Sequence, residues 1–136
     1  MRRFIAELFE VPAERSILSR YTSWNGVFYA LLGVFLYGSP GVILTAITGQ
    51  TALGSLRLSG MSMAIIGWFY WIGGRTGVSS FGLATIVDRA LVPVLLGGLV
   101  LTGSVQLQEV IVIAILDPVL ALGALLIWRS ERRPVE

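Results

Sequence analysis

A stretch of mostly apolar residues, Phe81 to Thr102, constrains the fold of this chain more than any other part of its sequence. In a helix each residue rises about 1.5 Å, so this stretch reaches roughly 33 Å, about the thickness of the hydrocarbon core of a bilayer. Asp88 and Arg89 stand side by side inside it. Because a charge at that depth costs about 2.5–3.5 kcal/mol on insertion scales, such residues usually face a partner, a cavity or a substrate rather than lipid.

The composition of the whole chain is that of an integral membrane protein. Of the 136 residues, 55% are hydrophobic and only 13% are charged. Cysteine and histidine are both absent, which excludes disulfides and thiolate chemistry and removes the commonest ligands of zinc and haem. We therefore expect no metal and no cofactor. The net charge of +2 comes from arginines concentrated at the predicted membrane edges, so nucleic acid is not an expected partner.

Four apolar stretches predict four transmembrane helices, packed as an all-α membrane bundle. Pro40 removes a backbone hydrogen-bond donor, so we expect the first span to bend or end early there. The expected spans are Ser23 to Ile47, Arg57 to Gly74, Phe81 to Thr102 and Glu109 to Trp128.

The residues before the first span alternate charged and apolar side chains at helical spacing. This pattern predicts an interfacial amphipathic helix over residues 1–20, followed by a four-helix transmembrane domain over 21–129 and a charged tail over 130–136. Most arginines precede span one, follow span four or lie between spans two and three. By the positive-inside rule, this distribution predicts a multi-pass protein of the cell inner membrane with both termini cytoplasmic.

Small residues follow one side of each of the first two spans, which is typical of helices that pack closely in a bilayer. Because closely packed helices enclose little volume, we expect the chain to form a homo-oligomer or to join another membrane subunit. The residues concerned are Gly26, Gly33 and Pro40 in span one, and Gly60, Ala64, Gly67 and Gly74 in span two, where Arg57 and Trp71 share the same face.

The charges inside the predicted spans are the main candidates for a ligand-binding site. Spans three and four are joined by a short connection and should be antiparallel neighbours, so Arg89 could reach Asp117. Asp88 points to a different side of the helix from Arg89. Further candidates for ligand contacts, chosen for polar or aromatic character, are Arg57, Asn25, Tyr29, Trp68 and Trp71.

Several interpretations of these charges are open. An Arg89–Asp117 ion pair could simply fix the helix register, with Asp88 bonded to Thr85, Asn25 or water. The preferred hypothesis is a protein that binds or transports a small lipophilic or ionic ligand, because two acids and one base leave one carboxyl poised to hold a proton or a cation. Alternatively, Asp88 and Asp117 could be catalytic, as general acid and base on a lipid-soluble substrate, or the chain could be a non-catalytic accessory subunit.

The order of polar and small residues along the four spans resembles that of small four-span bacterial integral membrane proteins of uncharacterised function. The resemblance implies four helices and draws attention to the intramembrane acids, and it supplies no activity. The residues that carry it are Asn25-Gly26, Arg57 to Gly67, Tyr70 to Arg75, Asp88-Arg89 and Asp117.

Overall fold

The computed structural model describes residues 12–51 and 53–132, and within them the chain is entirely helical. Five helices make up 84% of these residues, with no strand. Most of the predicted interfacial segment and of the tail lies outside the described residues; residues 12–16 are not helical. The helices are α1 (Ile17–Gly38), α2 (Gly41–Thr48), α3 (Leu53–Arg75), α4 (Ser79–Leu101) and α5 (Leu107–Glu131).

Two of the four predicted spans are clear in the structure. Helices α4 and α5 are each long and apolar enough to cross a membrane. Helices α1 and α2 provide a third span only if the pair counts as one broken span. Helix α3 is long enough, with 23 residues, but Arg57 and its many serines and glycines lower its apolarity. Two or three helices could therefore span a membrane, and not clearly four.

The predicted change of direction at Pro40 is confirmed, and it is larger than a bend. Helix α1 ends at Gly38, and α2 leaves at 117° to it. Proline has no backbone N–H, so the helical hydrogen-bond series stops there. The expected first span from Ser23 to Ile47 is consequently two helices rather than one.

The helices associate as two pairs. Helix α1 packs chiefly on α3, and α4 chiefly on α5, while contacts between the pairs are sparse. Glycines bring α1 and α3 into backbone contact. A Cβ added at Gly26 would lie 2.2 Å from the backbone nitrogen of Trp71, and one added at Gly67 would lie 2.3 Å from that of Ala30. The prediction that these small-residue faces pack closely is confirmed.

A side chain at the end of α5 caps the start of α1. The Glu131 carboxylate accepts hydrogen bonds from the backbone N–H groups of Ile17 and Leu18, the second at 3.3 Å. The Ser16 hydroxyl accepts another from the N–H of Ser19 at 3.1 Å. These N–H groups have no partner within the first turn of a helix. The first and last described helices therefore meet at the same end of the bundle.

Removing the Glu131 carboxylate should destabilise the fold. We expect Glu131→Ala to lower the free energy of unfolding by about 1 kcal/mol, because an anionic cap at a helix start is lost. Thermal unfolding of the purified protein in detergent measures the change. Ser130→Ala is the matched control, since its hydroxyl bonds only to Ile127 of its own helix. An equal loss in both variants would contradict the capping role.

Candidate ligand-binding site between the helix pairs

Arg89 lies where the two helix pairs meet. It is ten residues into α4, about 15 Å from the start of that helix, and its side chain is only 1% exposed. The central guanidinium carbon lies 4.7 Å from the centre of the Tyr70 ring and 5.5 Å from that of Tyr29. An arginine of the α4–α5 pair thus packs against tyrosines from both helices of the other pair.

The guanidinium of Arg89 is buried, and it makes no hydrogen bond to the described residues. None of its three nitrogens has a hydrogen-bond partner within the described part of the chain. Stacking of a desolvated cation on an aromatic ring contributes about 2 kcal/mol. Burial of an ion costs several kcal/mol even after the protein relaxes. The two ring contacts, together with the attraction of the guanidinium to Asp88, therefore offset part of this cost and supply no hydrogen-bond acceptor.

Each of the two predicted aspartates is bonded to a tyrosine. Asp117 is 4% exposed and accepts a hydrogen bond from the Tyr29 hydroxyl. Asp88 lies on the exposed side of α4 and accepts one from the Tyr70 hydroxyl. The Arg89–Asp117 ion pair, one of the interpretations of the sequence, is not formed; the buried carboxylate is bonded to Tyr29.

These two hydrogen bonds cross the boundary between the helix pairs. Tyr29 and Tyr70 belong to α1 and α3, and their rings lie 6.1 Å apart. Asp117 and Asp88 belong to α5 and α4. Since the pairs share few contacts, the two tyrosine–aspartate bonds are principal polar links across the middle of the bundle.

The polar surface of α1 continues from Tyr29 toward the start of that helix. Thr22 and Asn25 precede Tyr29 by seven and four residues, so the three share one helical face. All three are buried. The Thr22 hydroxyl oxygen and the Asn25 side-chain nitrogen have no partner among residues 12–51 and 53–132. The predicted candidate Asn25 therefore belongs to a buried polar strip that ends at the tyrosine.

The other predicted site residues lie elsewhere. Arg57 is exposed, and it donates a 3.4 Å hydrogen bond to the carbonyl of Ser39, beside the break between α1 and α2. The rings of Trp68 and Trp71 pack edge to face at 5.1 Å, and Trp71 lines a cleft near the start of α1. No cluster of three or more acidic side chains that could hold a metal ion occurs in the described ranges.

Tyr70 is a site residue that the sequence did not single out as a candidate for ligand contact. A local repeat could have identified it. Tyr29 follows Gly26 in Gly-Val-Phe-Tyr, and Tyr70 follows Gly67 in Gly-Trp-Phe-Tyr. The contacts of these two glycines are reciprocal, since each lies against the residue four places after the other. The two tyrosines thus take equivalent places in the α1–α3 pair.

These features define an all-helical protein with two or three helices long and apolar enough to span a membrane, and with a charged side chain buried between its helix pairs. Comparison with protein-family models, with curated proteins and with solved structures gives no match to this chain. Any functional proposal therefore rests on the geometry of its own residues.

Proposed function

We propose that this chain is a multi-pass membrane protein that binds a small organic carboxylate at Arg89 and transports it across the bilayer. One observation carries the proposal: the Arg89 guanidinium is 1% exposed and has no hydrogen-bond acceptor among the described residues. A ligand that supplies acceptors and a negative charge would offset the cost of burying this group.

The surroundings of Arg89 favour a carboxylate over other anions. A guanidinium presents parallel N–H donors that match the two oxygens of a carboxylate or a phosphate. Of these, a monovalent carboxylate loses less hydration on entering a site this deep, because the cost of burial rises with charge. The rings of Tyr29 and Tyr70 flank the guanidinium and would contact an apolar part of the ligand.

The division of the bundle supports transport rather than permanent retention of the ligand. Arg89 and Asp117 stand on one helix pair, and their tyrosine neighbours stand on the other. Because contacts between the pairs are sparse, the boundary between them is where one pair would move against the other. Such a movement would break the Tyr29–Asp117 and Tyr70–Asp88 bonds and open Arg89 to solvent or ligand.

The proposal includes four crossings, with α3 beside α1, in the inner membrane with both termini cytoplasmic. The backbone contact between Gly26 and Trp71, and between Gly67 and Ala30, supports a shared path for α1 and α3. Association with a second copy or with another membrane subunit stays a prediction. So do the intramembrane-enzyme and accessory-subunit hypotheses, which no described contact favours.

Benzoate is a suitable probe, because it combines a carboxylate with an aromatic ring. We expect benzoate to raise the unfolding temperature of the purified protein progressively with its concentration, equivalent to about 2.7 kcal/mol at a hundred times its dissociation constant. Arg89→Gln should weaken binding at least tenfold, because a charge-assisted hydrogen bond contributes about 1.5–3 kcal/mol. Uptake of labelled benzoate into proteoliposomes measures transport separately from binding.

Arg57→Gln is the matched control, since it removes an exposed arginine of a neighbouring helix. It should leave benzoate binding unchanged. Equal weakening by both substitutions would show a general effect of protein charge rather than a site at Arg89. Absence of saturable binding of both benzoate and acetate would rule the proposal out, and so would tighter binding of chloride than of either carboxylate. Binding without uptake would reject transport alone.

A further inference from the structure

A basic cleft lies where the start of α1 meets the end of α3, at the end of the bundle that Glu131 also caps. Its volume is about 410 Å³. Three arginines and two tryptophans line it, and none of the lining residues described is acidic. The lining residues are Arg15, Arg20, Ser23, Trp24, Val27, Trp71 and Arg75.

The residues that line the cleft are charged at its outer end and aromatic or apolar farther in. On α1, Arg20, Trp24 and Val27 are spaced at i, i+4 and i+7, so they follow one face over about 10 Å. On the antiparallel α3, Trp71 precedes Arg75 by four residues, and the Arg75 guanidinium stacks on the Trp71 ring at 4.8 Å. The charges therefore lie toward the helix ends, with aromatic and apolar side chains one to two turns deeper.

We propose that this cleft binds an anionic membrane lipid through its phosphate headgroup. Guanidinium groups bind phosphate oxygens with paired, charge-assisted hydrogen bonds, and Arg15, Arg20 and Arg75 all line this cleft. The inner wall supplies the contact for an acyl chain, since Trp24 is 72% exposed and Val27 lies one turn beyond it. A free phosphate would use the arginines and leave this apolar wall unused.

Dioctanoyl phosphatidylglycerol is a probe that remains soluble at useful concentrations, and native mass spectrometry of the detergent-purified protein can count the bound molecules. We expect one saturable site. Arg20→Gln and Arg75→Gln should each weaken binding about tenfold, the usual effect of losing a charge-assisted hydrogen bond. Trp24→Ala should weaken the binding of this lipid without changing the binding of inorganic phosphate.

The chain offers a matched control for Arg75. Arg132 also stacks on a tryptophan, Trp128, at the same distance of 4.8 Å, and it does not line the cleft. Arg132→Gln should leave lipid binding intact, with circular dichroism confirming that every variant is helical. Equal losses at Arg75 and Arg132, or unchanged binding in Arg20→Gln, would overturn the proposal. Inorganic phosphate binding as tightly as the lipid would assign the cleft to a soluble anion instead.

Discussion

Replacing Arg89 by methionine should stabilise the ligand-free protein, raising its free energy of unfolding by about 1–4 kcal/mol, as apolar replacement of buried ionic groups often does. Methionine is unbranched like the arginine stem, which it matches as far as the position of Nε, and it adapts to irregular spaces without a charge to desolvate. The three guanidinium nitrogens make no hydrogen bond among the described residues, so the substitution removes the ring contacts and the attraction of the guanidinium to Asp88.

The opposite result is expected if Arg89 is a structural counter-ion of Asp117. Breaking a buried ion pair by removing one partner costs about 3–5 kcal/mol, because the other charge is left uncompensated. Thermal and denaturant unfolding in detergent, without added anions, shows whether Arg89→Met raises or lowers the free energy of unfolding. The double variant Arg89→Met, Asp117→Asn keeps an acceptor for Tyr29 and removes the remaining buried charge. A double variant much more stable than Arg89→Met alone would show that Asp117 depended on the arginine.

A gain in stability together with a loss of benzoate binding would place Arg89 among residues kept for function at the expense of the fold. Such a trade is common at binding sites, where a strained or unpaired group is retained because the ligand needs it. If the proposed function holds, the same reasoning would account for a cation held between two tyrosines while both neighbouring carboxylates bond to tyrosine hydroxyls.

The parts of the fold that were predictable are those set by properties of single helices. Length and apolarity identified α4 and α5, a missing N–H at Pro40 placed the break after α1, and the spacing of Gly26 and Gly67 marked the packed faces. The pairing of α4 with α5 followed from their short connection. The pairing of α1 with α3 was not predictable, because a small-residue face shows that a neighbour approaches and does not show which one. Helix α3 was overestimated as a clear span because its serines and glycines dilute its apolar residues.

The sequence predicted which charged residues lie inside the apolar helices, and it did not predict the hydrogen bonds that these residues make. Arg89 and Asp117 were expected to face protein rather than lipid because they are charged residues inside long apolar helices, and the 100° between neighbouring residues explains why Asp88 faces outward. The hydrogen bonds depend on tyrosines from other helices. Tyr29 was a candidate because of its polar and aromatic character. Tyr70 was not a candidate, because it lies next to tryptophans of the kind that are common at a membrane interface.

Alanine at Gly67 should destabilise the protein by about 1–3 kcal/mol, the usual cost of overpacking. Its Cβ would lie 2.3 Å from the backbone nitrogen of Ala30, and a helix backbone cannot move aside as the end of a long side chain can. Helices α1 and α3 would have to separate. Tyr70, one turn from Gly67, would then shift relative to Tyr29 and loosen the ring contacts on Arg89.

Gly98→Ala is the control, because it makes the same glycine-to-alanine substitution at a position where the added Cβ contacts no other helix. A Cβ at Gly98 of α4 meets nothing within 4 Å, so this substitution should stabilise the helix by up to about 1 kcal/mol, because alanine favours helix more than glycine does. Unfolding of both variants in the same detergent tests whether the free energy of unfolding falls in Gly67→Ala and rises in Gly98→Ala. If Gly67→Ala were as stable as Gly98→Ala, α1 and α3 would not be in backbone contact, and the two tyrosines that flank Arg89 would not be held in register.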